Sequence, residues 1–279
     1  PLFTERGRGE NHYQMYQILH HKPRFGGRWA RDHKLTNPNN FVKRASLFRN
    51  FWLLDLPEQL DLYYPEHDFL RRTDYRAQGL RILQFYKVRY IVVYEEALDP
   101  RWDQPAFEGL INQVLGPGTV PFYKDSIMQV YRVPESSQTT QTQVPLPQLL
   151  TLDVGNGWYG IQSTSDGTVY RWADNTLGQA SELVTMNLSN QPVRAVLKGN
   201  IYAYKQDRTV NMEINGYRAA TYELKPGDDP KKVEVELTLP PGNNLITFST
   251  PQPPLATENP ALDLRLLSFG MFGVDLLPK

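Results

Sequence analysis

The chain has 279 residues, of which 40% are hydrophobic, 12% aromatic and 22% charged, with 30 Lys/Arg against 30 Asp/Glu and no Cys. That length supports one large domain or two ordinary ones, and the aromatic content excludes a disordered chain. The balanced charge argues against a dedicated nucleic-acid binder, and the lack of Cys excludes disulfides, thiolate metal sites and cysteine nucleophiles.

The first elements alternate between helical and extended spacing. Tyr13, Tyr16, Gln17 and His20 recur at i, i+3, i+4 and i+7, predicting a short helix that stops near Pro23 and Gly26-Gly27. Residues 51–56 read as a short buried strand ended by Pro57. Leu80, Leu83 and Tyr86 mark a helix face, and residues 88–94 form the strongest strand of this half. Phe107, Leu110, Ile111 and Val114 predict a second helix, closed by Gly116-Pro117-Gly118. Residues 121–123 and 127–133 then read as a hairpin around Lys124-Asp125-Ser126. The polar, proline-flanked stretch that follows has no periodicity and reads as a linker over 135–150.

Beyond the linker helical periodicity disappears. Strands are predicted at 157–163, 168–172, 183–188, 193–204, 209–214, 220–224, 233–239, 245–248 and 262–277, the last as two strands. Asp166-Gly167, Asn215-Gly216, Pro226-Gly227 and Pro241-Gly242 stand where hairpins need special backbone angles. The expected fold is α+β in two domains. A small α/β domain occupies 1–134, and a jelly-roll-like β-sandwich occupies 151–279.

The neutral total divides unevenly. Residues 1–134 hold 19 Lys/Arg against 15 Asp/Glu, residues 135–279 hold 11 against 15, and residues 1–50 alone hold 10 against 3. Within that basic entry, His20, Lys22, Arg24, Arg28 and Arg31 are candidates for facing phosphate or anionic lipid headgroups. The plain alternative is a solvated basic face. His20 and His21 are adjacent and no HExxH occurs, so no metal site is expected. No P-loop, dinucleotide fingerprint or GxSxG is present, so no catalytic residue and no cofactor are assigned.

The aromatic cluster of the second half is the other candidate. Trp158, Tyr159 and Trp172 could offer ring faces to a sugar, with Arg171 and Asp174 supplying polar contacts. The same tryptophans could equally fill the sandwich core.

Several segments carry a family resemblance. YQMYQILHHKPRFGGRWAR at 13–31 resembles the segment that follows the last membrane helix in many bacterial polytopic glycosyltransferases of the GT-C superfamily, which use polyprenyl-phosphate sugars. Leu54-Asp55-Leu56-Pro57 is similar to that family's "hxLP" strand. FYKVRYIVVY at 85–94 and FYKDSIMQVYRVP at 122–134 are similar to its "GVRYVVLH" and "YEDDxLxVYRVP" segments. Gly157-Trp158-Tyr159, Arg171-Trp172, Asn215-Gly216, Pro241–246 and Asp263–268 resemble its carboxy-terminal β-domain.

The resemblance implies a non-catalytic, extracytoplasmic portion of a membrane glycosyltransferase in a bacterial membrane. Its catalytic acid would lie in a membrane block outside this sequence, and the chain, which begins at Pro1, is read as a piece of a longer protein. The implied partners are a glycan or polyprenyl-phosphate sugar and a membrane surface, without nucleic acid. Two alternatives remain open: a stand-alone carbohydrate-binding protein and a soluble glycoside hydrolase.

Overall fold

A computed structural model describes residues 45, 47–53, 74–94, 103–135, 145–175 and 178–279. The chain divides into two compact units, the first including 74–135 and the second 145–279. The predicted helix at 13–20 and the basic candidates His20, Lys22, Arg24, Arg28 and Arg31 lie outside the described residues, as does Leu54-Asp55-Leu56-Pro57. Among the described residues no helix is long and apolar enough to cross a membrane.

The first unit contains helices α1 (Phe48–Leu53), α2 (Tyr75–Phe85) and α3 (Asp103–Leu115). Its strands are β1 (Tyr90–Tyr94), β2 (Tyr123–Lys124) and β3 (Met128–Arg132). They form an antiparallel sheet in the order β1-β3-β2. The strand expected at 51–56 is replaced at its start by helix α1. Phe48 and Phe51, three residues apart, are both buried, a helical rather than a two-residue period. Phe48 meets Tyr86 and Phe51 meets Phe107, with ring centroids 5.1 and 6.1 Å apart.

Helix α2 starts at Asp74, whose carboxylate accepts the Arg76 N–H, while the Gln78 side chain accepts the Asp74 N–H in return. This reciprocal cap satisfies donors that a helix start leaves open. Gly79 lets α2 approach α3, since a Cβ there would lie 2.9 Å from the Val114 side chain. Helix α3 ends at Gly116, whose φ of 112° no branched residue adopts without strain. One face of the sheet, with Ile91, Val93 and Tyr131, is buried, and Tyr131 packs on Phe107 of α3 at 5.9 Å.

The second unit is a β-sandwich of two five-stranded antiparallel sheets. After a 3-10 turn at Leu146–Leu149 come β4 (Leu150–Val154), β5 (Gln162–Ser163), β6 (Val169–Trp172) and β7 (Ser181–Asn187). They are followed by β8 (Val193–Ala203), β9 (Arg208–Ile214), β10 (Tyr217–Leu224) and β11 (Lys231–Leu239). The chain ends with β12 (Gly242–Ser249), β13 (Leu255–Ala256), β14 (Leu266–Leu267) and β15 (Phe269–Pro278). One sheet runs β10-β9-β12-β7-β4 and the other β11-β8-β15-β6-β5, so the chain passes repeatedly between the layers in jelly-roll fashion, with β5–β6 and β9–β10 as hairpins within a sheet.

The core lies between the sheets. Leu183, Met212, Ile246 and Phe248 of one layer pack with Leu197, Ile201, Phe269 and Met271 of the other. Strand β4 was not expected, although Leu150, Leu152 and Val154 alternate, because it directly follows the proline-rich stretch. Strand β7 is buried at every residue, which is why its sequence shows no alternation.

Replacing the α2 cap, Asp74→Ala, is expected to lower the stability of the first unit by about 1 kcal/mol. The readout is the midpoint of urea unfolding followed by circular dichroism at helical wavelengths, and an unchanged midpoint would show that the cap contributes nothing.

Candidate functional site

The outward face of the β11-β8-β15-β6-β5 sheet carries an unusual feature. Side chains alternate along β8, so Ala195, Leu197, Ile201 and Ala203 point into the core while Arg194, Lys198, Asn200 and Tyr202 point out. In register with them, Gly270 of β15 stands directly between Tyr202 of β8 and Trp172 of β6. Strands two apart in a sheet are separated by roughly 9.5 Å. The Trp172 and Tyr202 rings nevertheless meet, with centroids 5.0 Å apart.

They can do so because the position between them has no side chain. A Cβ on Gly270 would lie 2.3 Å from the Tyr202 ring, so the ring lies over the glycine backbone. Tyr170 packs on Trp172 at 5.7 Å and on Tyr202 at 6.3 Å, and Phe272 meets Tyr202 at 6.1 Å. Tyr204, just past the end of β8, lies 5.1 Å from Trp172, and the Lys205 ammonium sits 5.0 Å above the Tyr204 ring. All five rings are half-buried. Burial pushes the Tyr202 phenol well above its ordinary range, with the neighbouring Tyr170 adding to the shift, so it stays neutral.

A polar corner adjoins this face. The Tyr159 hydroxyl donates to the Asp174 carboxylate at 3.0 Å and accepts from the Leu266 N–H at 3.2 Å. The Arg265 guanidinium lies 5.6 Å over the Tyr159 ring and pairs with Asp263 through two side-chain bonds of 2.8 and 2.6 Å. Asp263 raises the Arg265 pKa most, with smaller contributions from the Tyr159 and Tyr170 phenols. Arg265 in turn holds the Asp263 carboxyl down at about 2.

The segment carrying this corner is held in place by Arg208, which is buried. Its guanidinium donates to the carbonyls of Gln252, Pro253 and Leu267, and burial lowers its pKa to about 10.

The five residues expected to contact a sugar are thus separated by the fold. Trp158 is only 6% exposed: its indole N–H donates to the Glu182 carbonyl at 2.8 Å, and its ring packs edge-on against Phe248 and Phe269 inside the sandwich. Arg171, one residue from Trp172, takes the opposite side of β6, is fully buried and donates to the Tyr159 carbonyl at 2.7 Å. Neither presents a surface to a ligand, because the sandwich needs the tryptophan as filling and the carbonyl needs a donor.

Trp172 stands on the aromatic face, and Tyr159 and Asp174 form the polar corner. Tyr202, Tyr204, Phe272 and Gly270, which the sequence reading does not single out, complete this face. The signal that could have found them is the Tyr202-Ala203-Tyr204 alternation at the end of a predicted strand.

No protein-family model matches the sequence, and a comparison with curated proteins finds no match. Among solved structures the chain is similar to the CBM35 from Cellvibrio japonicus Abf62. The match is 17% identical and covers 46% of this chain and 93% of that one, with a TM-score of 0.31. The CBM22-1 xylan-binding domain of Paenibacillus barcinonensis Xyn10C is matched at 6% identity, over 46% of this chain and 85% of that one, with a TM-score of 0.34. The Podospora anserina GH26-CBM35 beta-(1,4)-mannanase is matched at 15% identity and a TM-score of 0.30, over 44% of this chain but only 25% of that protein's length. These neighbours include carbohydrate-binding modules of β-sandwich type.

The Asp263–Arg265 pair sets a pH dependence. A carboxyl held at about 2 when folded, against an ordinary 3.8, contributes stability that is fully present above about pH 4–5. That contribution is lost as pH falls through the ordinary value toward 2. In a carboxyl-carbon NMR titration Asp263 is expected to have its midpoint near 2 in the native protein, and Arg265→Met should raise it toward the ordinary 3.8. An unchanged midpoint in that variant would show that the pair does not hold the carboxyl down.

Proposed function

We propose that the aromatic face of the sandwich binds a glycan. The observation that carries this is the meeting of Trp172 and Tyr202 over Gly270, flanked by Tyr170, Tyr204 and Phe272. A sugar ring has one apolar face of C–H groups and a rim of hydroxyls, so it is matched by aromatic rings beside fixed donors and acceptors. Here the polar complement comes from the tyrosine hydroxyls, Asn200 at the edge of the rings, and the Asp174–Tyr159–Arg265–Asp263 corner.

A binding module, with no bond-breaking step of its own, is what these groups support. The carboxylates of the corner are engaged by Tyr159 and Arg265.

The finer reading is a module at the extracytoplasmic face of a bacterial membrane, serving a glycosyltransferase that draws on a polyprenyl-phosphate sugar. There it would position an acceptor glycan or protein. What supports it is the motif series from residues 13–31 through Asp263–268. A carbohydrate-binding protein acting alone would use the same face.

Two measurements test these readings. In a glycan array followed by titration, Trp172→Ala and Tyr202→Ala are each expected to weaken binding about tenfold or more, the size of a 1.4 kcal/mol loss. Trp158→Ala should instead lower stability by about 3–5 kcal/mol, as for a large core side chain. Absence of any bound glycan, or native affinity in Trp172→Ala, would overturn the binding face.

For the finer reading, the gene product that carries this chain is expected to contain a series of hydrophobic spans ahead of residue 1. A parent protein without them removes the membrane glycosyltransferase while leaving the binding face standing.

A further inference from the structure

The outward face of the β11-β8-β15-β6-β5 sheet continues past its rings. Beyond Tyr202 the next outward residue of β8 is Asn200, which stands between Lys232 of β11 and Phe272 of β15. After it comes Lys198, between Glu234 and Asp275, and then Val196, between Glu236 and Leu277.

That last row is apolar at its floor, where Val196 is buried and Leu277 is 41% exposed. Lys198, Glu234, Glu236 and Lys279 stand around it, and together these side chains line a groove. Its charges are matched within the sheet. Lys198 pairs with Glu234 at 3.3 Å, Arg194 pairs with Glu236 at 3.0 Å, and Lys279 bonds Glu236 as well. Lys279 and Arg194 hold the Glu236 carboxyl below its ordinary range. With Asp275 counted, the cations Arg194, Lys198 and Lys279 face the carboxylates of Glu234, Glu236 and Asp275, and the groove is neutral.

The floor between rings and groove is low. At the bulge of β15, Phe272 pairs with Asn200 and Asp275 with Lys198, so two residues occupy the space of one. Val274 turns into the core, while Gly273, with a φ of 59°, is exposed. A Cβ on Gly273 would come 3.4 Å from the Asn200 amide nitrogen, so the glycine keeps that passage clear. The track also narrows. Strands β5 and β6 flank the sheet only as far as Phe272, and at the groove β11, β8 and β15 alone remain.

We propose that the ligand of this face is a linear, uncharged oligosaccharide lying along β8 and β15. It would run from the Trp172 and Tyr202 rings over Asn200 and Gly273 into the groove floored by Val196 and Leu277. The proposal rests on the glycan reading of the ring face and extends it. Val196 is six residues from Tyr202, roughly 20 Å along a strand, which is beyond the reach of a disaccharide. The groove repeats the chemistry of the rings: an apolar floor for the C–H face of a sugar, and fixed donors and acceptors at its rim for the hydroxyls. Paired ions offer hydrogen bonds while their fields cancel, so a charged sugar gains nothing over a neutral one. The narrowing to three strands leaves room for one chain and none for branches.

The test is calorimetric titration of the full chain with xylo-, manno- and cello-oligosaccharides from disaccharide to hexasaccharide. In at least one series the hexasaccharide is expected to bind about tenfold or more tightly than the disaccharide. Raising the salt concentration should leave that affinity unchanged, because no net charge is matched. Leu277→Ser, and Lys198→Ala combined with Glu234→Ala, should each remove most of the gain with length. Trp172→Ala should weaken binding of every length.

Equal affinity for disaccharide and hexasaccharide, or no binding in any of the three series, overturns the proposal. So does native hexasaccharide affinity in the groove variants, or binding that falls steeply with salt. If a glycan array still finds a ligand that Trp172→Ala loses, the ring face stands and only its extension along the strands fails. If Trp172→Ala loses nothing, both readings fall.

Discussion

The second unit depends on its last strand. Strand β15 lies in the middle of its sheet, between β8 and β6, so β6 and β5 join the rest of the layer only through it. Its inward residues Phe269, Met271, Val274 and Leu276 belong to the core, while its outward Gly270 leaves the space over which Trp172 and Tyr202 meet. One strand therefore closes the sandwich and shapes its outer surface. The bulge between Phe272 and Asp275 permits both, shifting the register so that Val274 and Leu276 still face inward.

The aromatic face and the polar corner are tied together by backbone and side-chain bonds. Trp172 is followed by Ala173, which pairs with Trp158, and Tyr159 is next in sequence. Burying Trp158 thus places Tyr159 against Asp174 and Leu266. Arg208 holds the other side of the corner by bonding two carbonyls just before β13 and one within β14. A buried guanidinium without a carboxylate is costly unless its N–H groups are bonded, and three carbonyls meet most of that demand. The core tryptophan and the buried arginines are supports for the surface groups beside them. On the sandwich, the rings are half-buried against one another and bordered by fixed donors and acceptors, an arrangement suited to a well-defined ligand.

Much of this was legible in the sequence, and its limits have physical causes. Strict alternation at 233–239 and the Asn215-Gly216 turn marked real strands because one face of a strand is wet and a tight turn needs positive φ. The Asp/Gly-punctuated second half predicted a sandwich for the same reason. Residues 51–56 misled because a short apolar run has no period, and only packing of Phe48 and Phe51 against Tyr86 and Phe107 decided for a helix.

Around the candidate site, the sequence singled out Trp172, Tyr159 and Asp174, which the fold leaves at the surface, together with Trp158 and Arg171, which it buries. Neighbouring residues on a strand point to opposite faces, and which face is the core depends on the partner sheet. Tyr202, Tyr204 and Phe272 lie at least thirty residues from Trp172 in sequence, so only register across β8, β15 and β6 could bring their rings together. The sequence by itself determined the strands, the turns and the stock of aromatic residues. The tertiary structure alone decided which rings became core and which became surface, because that choice is made by the pairing of distant strands around a single glycine.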